Sequence, residues 1–162
     1  MNIPTPFVRR DIKVVPEWVD ENRHMNVAFY LKCFDDSFYG VYDAWGIDFA
    51  AVQERGYSTF AAENHLTYLG ELFLGETFSI ETMLLDHDRK RVRWFNIMRK
   101  ADGSIAATCE WLVLFVDFHQ RRVTSMPDDL YNRLVEIKAA HDALPRPGQA
   151  GRAIGLQNRR SG

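Results

Sequence analysis

The sequence predicts an α+β domain in which a curved antiparallel sheet wraps one unusually apolar helix. Three observations predict it. Residues 27–45 are apolar around most of a helical surface, with only Lys32, Asp35, Asp36 and Asp43 charged. Four later segments, 57–69, 77–85, 91–100 and 105–117, have strand composition, and the connections between them are too short for parallel crossovers. The 162 residues are 46% apolar and 26% charged, close to the globular average, which supplies one core and not two.

Taken in chain order, residues 8–15 read as a first strand halted at Pro16, because proline cannot donate to a sheet ladder. In the 27–45 helix, Val27, Leu31, Phe34, Phe38, Val41, Tyr42 and Trp45 recur at helical spacing, and the whole would run about 28 Å at about 1.5 Å per residue. Asn26 is placed to cap it by accepting from the Ala28 or Phe29 amide, and Gly46 stands where a left-handed residue is wanted. A short helical or irregular piece at 48–55 leads into the sheet. Phe78, Ile80 and Leu84 show the period of a half-buried strand. Gly70 and Gly75, Asp86-His87-Asp88 and Asp102-Gly103 mark the turns between strands. A second helix at 127–141 has Pro127 near its first turn, Asp128 and Asp129 at its positive end and a Leu130, Leu134, Ile137 stripe, and is expected on the surface. The domain then closes near residue 142. Residues 143–162, with Pro145, Pro147, Gly148, Gly151 and Gly155, form a tail that is either docked or mobile. A curled sheet leaves open edges, which predicts pairing with symmetric copies as a dimer or tetramer.

Several functions are excluded early. With 20 basic and 22 acidic residues the formal charge is −2, which offers no field for gripping nucleic acid. Cys33 and Cys109 lie in apolar runs and read as small buried hydrophobes. The five histidines, at 24, 65, 87, 119 and 141, make no ligand spacing with them, so no metal is expected. No long apolar run or leader pattern occurs, so the expected setting is cytoplasmic and off the membrane. The absence of G-x-S-x-G, G-x-x-x-x-G-K and G-x-G-x-x-G removes support from serine hydrolases, nucleotide hydrolases and dinucleotide enzymes.

The strongest local pattern is Trp18-Val19-Asp20-Glu21-Asn22-Arg23-His24-Met25-Asn26-Val27-Ala28-Phe29-Tyr30. It resembles the hotdog-fold acyl-CoA thioesterases, in the branch similar to 4-hydroxybenzoyl-CoA thioesterase, whose segment has an Asp, a Gly-His-x-Asn loop and a Tyr opening the central helix. Arg23 occupies the glycine position. Glu63-Asn64-His65-Leu66-Thr67-Tyr68-Leu69 followed by Gly75-Glu76 is similar to the family's second strand and turn. Asp88-Arg89-Lys90-Arg91 and the stretch from Trp111 to Asp117 resemble a subgroup associated with carnitine breakdown, whose implied substrate is betainyl-CoA.

The resemblance implies a hotdog fold and hydrolysis of a small acyl-CoA, with coenzyme A arriving as part of the substrate and no separate cofactor. It assigns carbonyl polarisation to the backbone amide seven residues after the catalytic Asp, which from Asp20 is Val27. That suits the unpaired first-turn amides and partial positive charge of a helix N-terminus. The same end favours an ionised Asp20, serving either as nucleophile or as general base; taken alone, Asp20 reads as a loop cap. His24 either orients substrate or water or is a surface hydrogen-bonding residue, Asn22 braces the loop or bonds substrate, and Asn26 is foremost a cap. Glu63 and His65 share one strand face while Leu66 and Tyr68 take the other. Glu63 is then a second carboxylate for acid–base work, contributed across a subunit boundary, or half of an exposed salt bridge, and His65 stands beside it as a substrate contact. Arg89, Lys90 and Arg91 either take the phosphates of coenzyme A or form a solvated hairpin. The 13% aromatic content includes rings that could cage a quaternary ammonium, though most belong to the core.

Two rival functions are kept open. A hotdog hydratase or dehydratase carries a motif resembling Asp-x-Asn-Pro-x-His, but here the proline is missing and Asn22 and His24 stand one residue too close. A noncatalytic acyl-CoA-binding dimer is the other, since one fold hosts binding as readily as chemistry.

Overall fold

In the computed structural model, which describes residues 3–156, the chain enters through β1 (Phe7–Lys13) and stops short of Pro16. Pro16 instead opens one 3₁₀ turn, Pro16–Trp18, where its missing N–H is harmless. The apolar segment that follows is two helices and not one: α1 (Val27–Asp36) and α2 (Tyr39–Trp45). Ser37 is the cause. Its buried hydroxyl donates to the Phe34 carbonyl at 2.6 Å, and the Ser37 and Phe38 amides reach back only three residues, to Phe34 and Asp35. A side chain that competes for the helix's own acceptor tightens and bends the turn. The break does not disturb hydrophobic phase, because Phe34, Phe38 and Val41 all remain buried across it.

Asn26 caps α1, accepting from the Ala28 amide at 3.0 Å, and Gly46 ends α2 at φ 92° with its N–H on the Tyr42 carbonyl. The irregular piece is a true helix, α3 (Phe49–Arg55), capped by Asp48 on the Ala51 amide at 2.8 Å. Then come β2 (Tyr57–Tyr68), β3 (Thr77–His87), β4 (Arg91–Lys100) and β5 (Ile105–Asp117), with an unforeseen two-residue β6 (Arg122–Val123) on the end of β5. The sheet runs β1-β3-β4-β5-β2, antiparallel throughout. β2 is therefore a 12-residue strand with one edge unpaired within the chain. It carries one extra residue, Ala62, between Ala61 and Glu63, so its alternation restarts halfway along.

The concave face of the sheet closes over α1 and α2, with Phe34, Trp45, Trp94 and Phe115 at its centre. A polar thread crosses this core. Trp111 Nε1 donates to Asn96 Oδ1 at 2.6 Å, Asn96 Nδ2 donates to Thr82 Oγ1 at 2.6 Å, and Thr82 meets the Ser37 hydroxyl at 3.4 Å. It joins the helix break to three strands, and a satisfied buried network fixes one arrangement of the core. Cys33 and Cys109 are buried free thiols; burial pushes Cys33 up to about 11 and raises Cys109 as well, so both stay protonated.

The last helix, α4 (Asp128–His141), is more embedded than a surface helix: Leu130, Leu134, Ile137 and His141 are buried, and Trp45 Nε1 donates to the Leu130 carbonyl at 3.1 Å. Beyond it the tail lies on the opposite, convex face of the sheet. Leu144 and Ala150 pack on Met83, Phe95 and Ile97, and the Gly151 amide donates to Glu110 Oε2 at 2.6 Å. Residues 157–162 of the expected tail lie outside the described residues. Among the described residues no helix is long and apolar enough to cross a membrane.

His141 ties three parts together. Its Nδ1 accepts from the Leu84 amide at 2.9 Å, which obliges Nε2 to carry the proton and donate to the Pro4 carbonyl, also 2.9 Å away. The ring fits only when neutral, and burial lowers its pKa below the ordinary 6.5. The unfolded chain therefore takes up the proton first. This contribution to stability is present above pH 6.5 and is lost as pH falls below it. Urea unfolding should show His141→Phe destabilised by about 1–3 kcal/mol at neutral pH, from the two backbone groups left unpaired. The variant should also show a shallower loss of stability on acidification than the parent chain.

Candidate active site at the helix entry

Between the 3₁₀ turn and α1 the chain makes a tight loop whose two ends are stitched together. Val19 bridges Met25, the Asp20 amide donates to the His24 carbonyl at 3.2 Å, and the Asn26 amide donates to the Trp18 carbonyl at 2.8 Å. Met25 is fully buried and its amide donates to the Leu72 carbonyl at 2.7 Å, which pins the loop to the β2–β3 connection. Arg23 sits at φ 66°, a left-handed conformation that glycine adopts without cost. The departure at this position is thus one of residue type and not of backbone shape.

Two asparagine-centred contacts hold the Asp20 carboxylate. Its Oδ1 accepts from the Asn22 amide at 2.9 Å, and its Oδ2 accepts from Asn26 Nδ2 at 3.2 Å. Asn26 in turn uses its own oxygen to cap α1. One amide side chain therefore links the carboxylate directly to the helix N-terminus. Val27 is the first helical residue, so its N–H has no intrahelical acceptor, and it stands 55% exposed. A half-buried carboxylate and an electropositive peptide N–H of an exposed residue thus share one corner of the fold.

The surroundings are aromatic. Trp18 stacks on Phe29 at 5.9 Å, and Tyr30 meets Tyr68 edge to face at 5.3 Å. Tyr68 donates to the Val27 carbonyl at 3.3 Å, and the Tyr30 hydroxyl takes the Leu72 amide and donates to the Gly70 carbonyl. Trp18, Tyr30 and Tyr68 all belong to the segments that carry the resemblance, but nothing in their spacing says that they gather beside the Asp20 loop. Asn64, opposite Trp111, lies on the helix side of β2.

The other sequence candidates fall elsewhere. His24 turns away from Asp20, its Nδ1 near the Met25 carbonyl at 3.3 Å and its Nε2 3.7 Å from Glu71. Glu63 and His65 pair with Leu112 and Glu110, on the face away from α1, where they line a cavity of about 250 Å³ with Arg93, Glu110 and Arg152. There the Gly151 amide and Arg93 outweigh burial and hold the Glu110 carboxyl below its usual range. Arg89, Lys90 and Arg91 form the β3–β4 turn, at the end of the sheet opposite the Asp20 loop. Arg89 pairs with Asp128 and lies 4.2 Å over Tyr131, and Arg91 pairs with Asp88; among the described residues Lys90 alone of the three makes no ion pair. Within one chain, then, Asp20, Asn22, Asn26 and Val27 come together, and Glu63, His65 and the basic turn do not join them. Among the described residues no group of three His, Cys, Asp or Glu side chains is arranged to hold a metal ion.

Comparison with known proteins adds sequence likeness to this geometry. The model of the thioesterase-like superfamily matches residues 14–134. The chain is similar to a betainyl-CoA thioesterase of Pseudomonas aeruginosa, with 35% identity over 144 residues, covering 88% of this chain and 91% of that one. It is 36% identical over 146 residues to an L-carnitine dehydrogenase/betainyl-CoA thioesterase of Rhizobium meliloti; the match covers 90% of this chain but only 29% of that longer protein. A Staphylococcus aureus protein solved in complex with CoA superposes with a TM-score of 0.88 at 28% identity, over 97% of this chain and 99% of that one.

The double duty of Asn26 can be separated by substitution. Asn26→Ala should lose about 1 kcal/mol in urea unfolding through the missing cap. Asn26→Ser caps equally well but carries no amide to reach Asp20, so it should be clearly more stable than Asn26→Ala. Equal destabilisation of the two variants would show that the cap is not the main contribution of Asn26.

Proposed function

Because the chain belongs to the thioesterase-like superfamily, we propose that it hydrolyses a small acyl-CoA to the free acid and coenzyme A at the Asp20 loop. The observation that carries this reading is the Asn26 link, which holds the Asp20 carboxylate against the amino end of α1. The thioester carbonyl sits on the Val27 N–H, where the helix terminus stabilises the charge that builds on oxygen. Two routes use the same residues. In one, an Asp20 oxygen bonds to the carbonyl carbon, the carbon–sulfur bond breaks with the electron pair leaving on the thiolate, and water then cleaves the mixed anhydride. In the other, Asp20 takes a proton from water, the hydroxide adds to the carbon, and the thiolate leaves from the tetrahedral adduct. Glu63 and His65, on the far face of the sheet, take no part in either.

The names of the relatives support a betainyl acyl group. The long free edge of β2 supports a homodimer in which two such edges pair antiparallel. That pairing sets the Tyr68 end of one β2, beside Val27, against the Ser58 end of the other. It also brings the partner subunit's Lys90 turn to the same end of the joined sheet, which supports a role for that turn toward coenzyme A.

Thiol release from betainyl-CoA should fall about 10²-fold or more in Asp20→Asn, with the fold intact by circular dichroism. Undiminished turnover would remove Asp20 from the chemistry. In single-turnover hydrolysis in ¹⁸O water, label in the Asp20 carboxylate establishes the anhydride route opened at the aspartyl carbonyl, since direct water attack puts all label in the product acid. In sedimentation velocity the chain should run at twice the 18.8 kDa of one subunit or a higher even multiple, and a monomer would exclude β2 pairing.

A further inference from the structure

At the Ser58 end of β2, Tyr39, Tyr42 and Phe49 line a cavity of about 230 Å³ together with Asp43 and Asp48. Its composition is unusual for a surface hollow. Tyr39 is 73% exposed and Phe49 81%, so two large rings are left to water. Tyr42 forms the fixed wall: it stacks on Phe38 at 5.6 Å, and its hydroxyl accepts from Thr59 Oγ1 at 3.1 Å. Among the described residues neither Asp43 nor Asp48 has a cationic partner, although Asp48 also caps α3.

Ring faces combined with unpaired carboxylates, and no basic side chain in the lining, repel phosphate and carboxylate groups. They favour a bulky, weakly hydrated cation, which draws on ring quadrupoles and formal charge together. We propose that this cavity is the specificity pocket for the quaternary ammonium of the acyl group, and that it serves the Asp20 loop of the partner subunit. The proposal rests on the thioesterase reading and on β2 pairing. A betainyl group has one methylene between nitrogen and the thioester carbonyl, so its cation must bind within a few ångströms of the Val27 N–H. Within one chain the cavity and Val27 stand at opposite ends of β2; antiparallel pairing of two β2 edges closes that separation.

The test compares betainyl-CoA with 3,3-dimethylbutanoyl-CoA, which has the same shape with carbon in place of the cationic nitrogen. The parent chain should prefer the cationic substrate by about tenfold or more in kcat/KM, and Asp43→Asn and Phe49→Leu should each collapse that ratio, chiefly through KM for betainyl-CoA. Hydrolysis with no charge preference, or a preference that neither variant reduces, overturns the pocket and leaves the thioesterase reading standing. Coexpression of Asp20→Asn chains with Asp43→Asn chains tests the subunit crossing. Mixed dimers hold one site with both residues intact only if the two come from different subunits, so recovery of charge-selective turnover supports the assignment and its absence overturns it. Should the parent chain cleave neither thioester, titration with tetramethylammonium chloride followed by NMR decides the pocket alone. Shifts of the Tyr39 and Phe49 ring resonances that vanish in Asp43→Asn keep it, and unmoved resonances overturn it.

Discussion

Asn26 is where fold and chemistry meet. Its side-chain oxygen satisfies a first-turn amide of α1, and its side-chain nitrogen holds Asp20, so one planar amide group sets the distance between a carboxylate and a helix terminus. Everything around it serves to keep that group still. Met25 anchors the loop in the core, Tyr30 ties α1 to the β2–β3 connection, and Tyr68 fastens the first carbonyl of the helix to the sheet. A loop built this way is not a flexible lid; it is a preorganised corner of the core that reaches the surface.

Much of this was readable in the residues, and the reasons differ from place to place. Asn26 and Gly46 were placed correctly because caps are local chemistry, written in one or two residues. The four long strands were found because alternation and Gly or Asp turns also act over short range. Ser37 escaped notice because breaking the helix depends on a hydroxyl bonding back to Phe34, while the apolar phase on both sides is undisturbed. The two-residue β6 has too few residues to show any period. At the site, the grouping of Asp20, Asn22, Asn26 and Val27 followed from adjacency. Tyr68, more than 30 residues downstream, joins it only through sheet register, and no single segment carries that information.

Charged residues show why side-chain type alone is a weak guide. Arg89 and Arg91 admit two readings in the sequence, phosphate ligands or a solvated hairpin, and in the fold each pairs with a neighbouring aspartate while Arg89 also lies over Tyr131. Such exposed pairs add little stability, but they do reduce the net field at the turn. Asp43, by contrast, reads in the sequence only as an interruption of an apolar stretch, and among the described residues it and Asp48 have no cationic partner beside three aromatic rings. What separates the two cases is neutralisation by neighbours, which only the folded chain reveals.

The single extra residue in β2 governs which end of the strand can cooperate with which surface. Ahead of Ala62, Thr59 and Ala61 face the helices; past it, Asn64, Leu66 and Tyr68 do so, where an uninterrupted strand would have turned Glu63, His65 and Thr67 inward. Parity, in other words, is reset in the middle. Threading all 12 residues as a regular strand would exchange inside for outside along the whole second half, carrying a carboxylate and an imidazole toward the core and swinging Tyr68 off the Val27 carbonyl, whereas deleting Ala62 itself would only straighten the strand and leave Tyr68 where it is. Length at this one position is thus tied to the order of polar and apolar residues on either side of it.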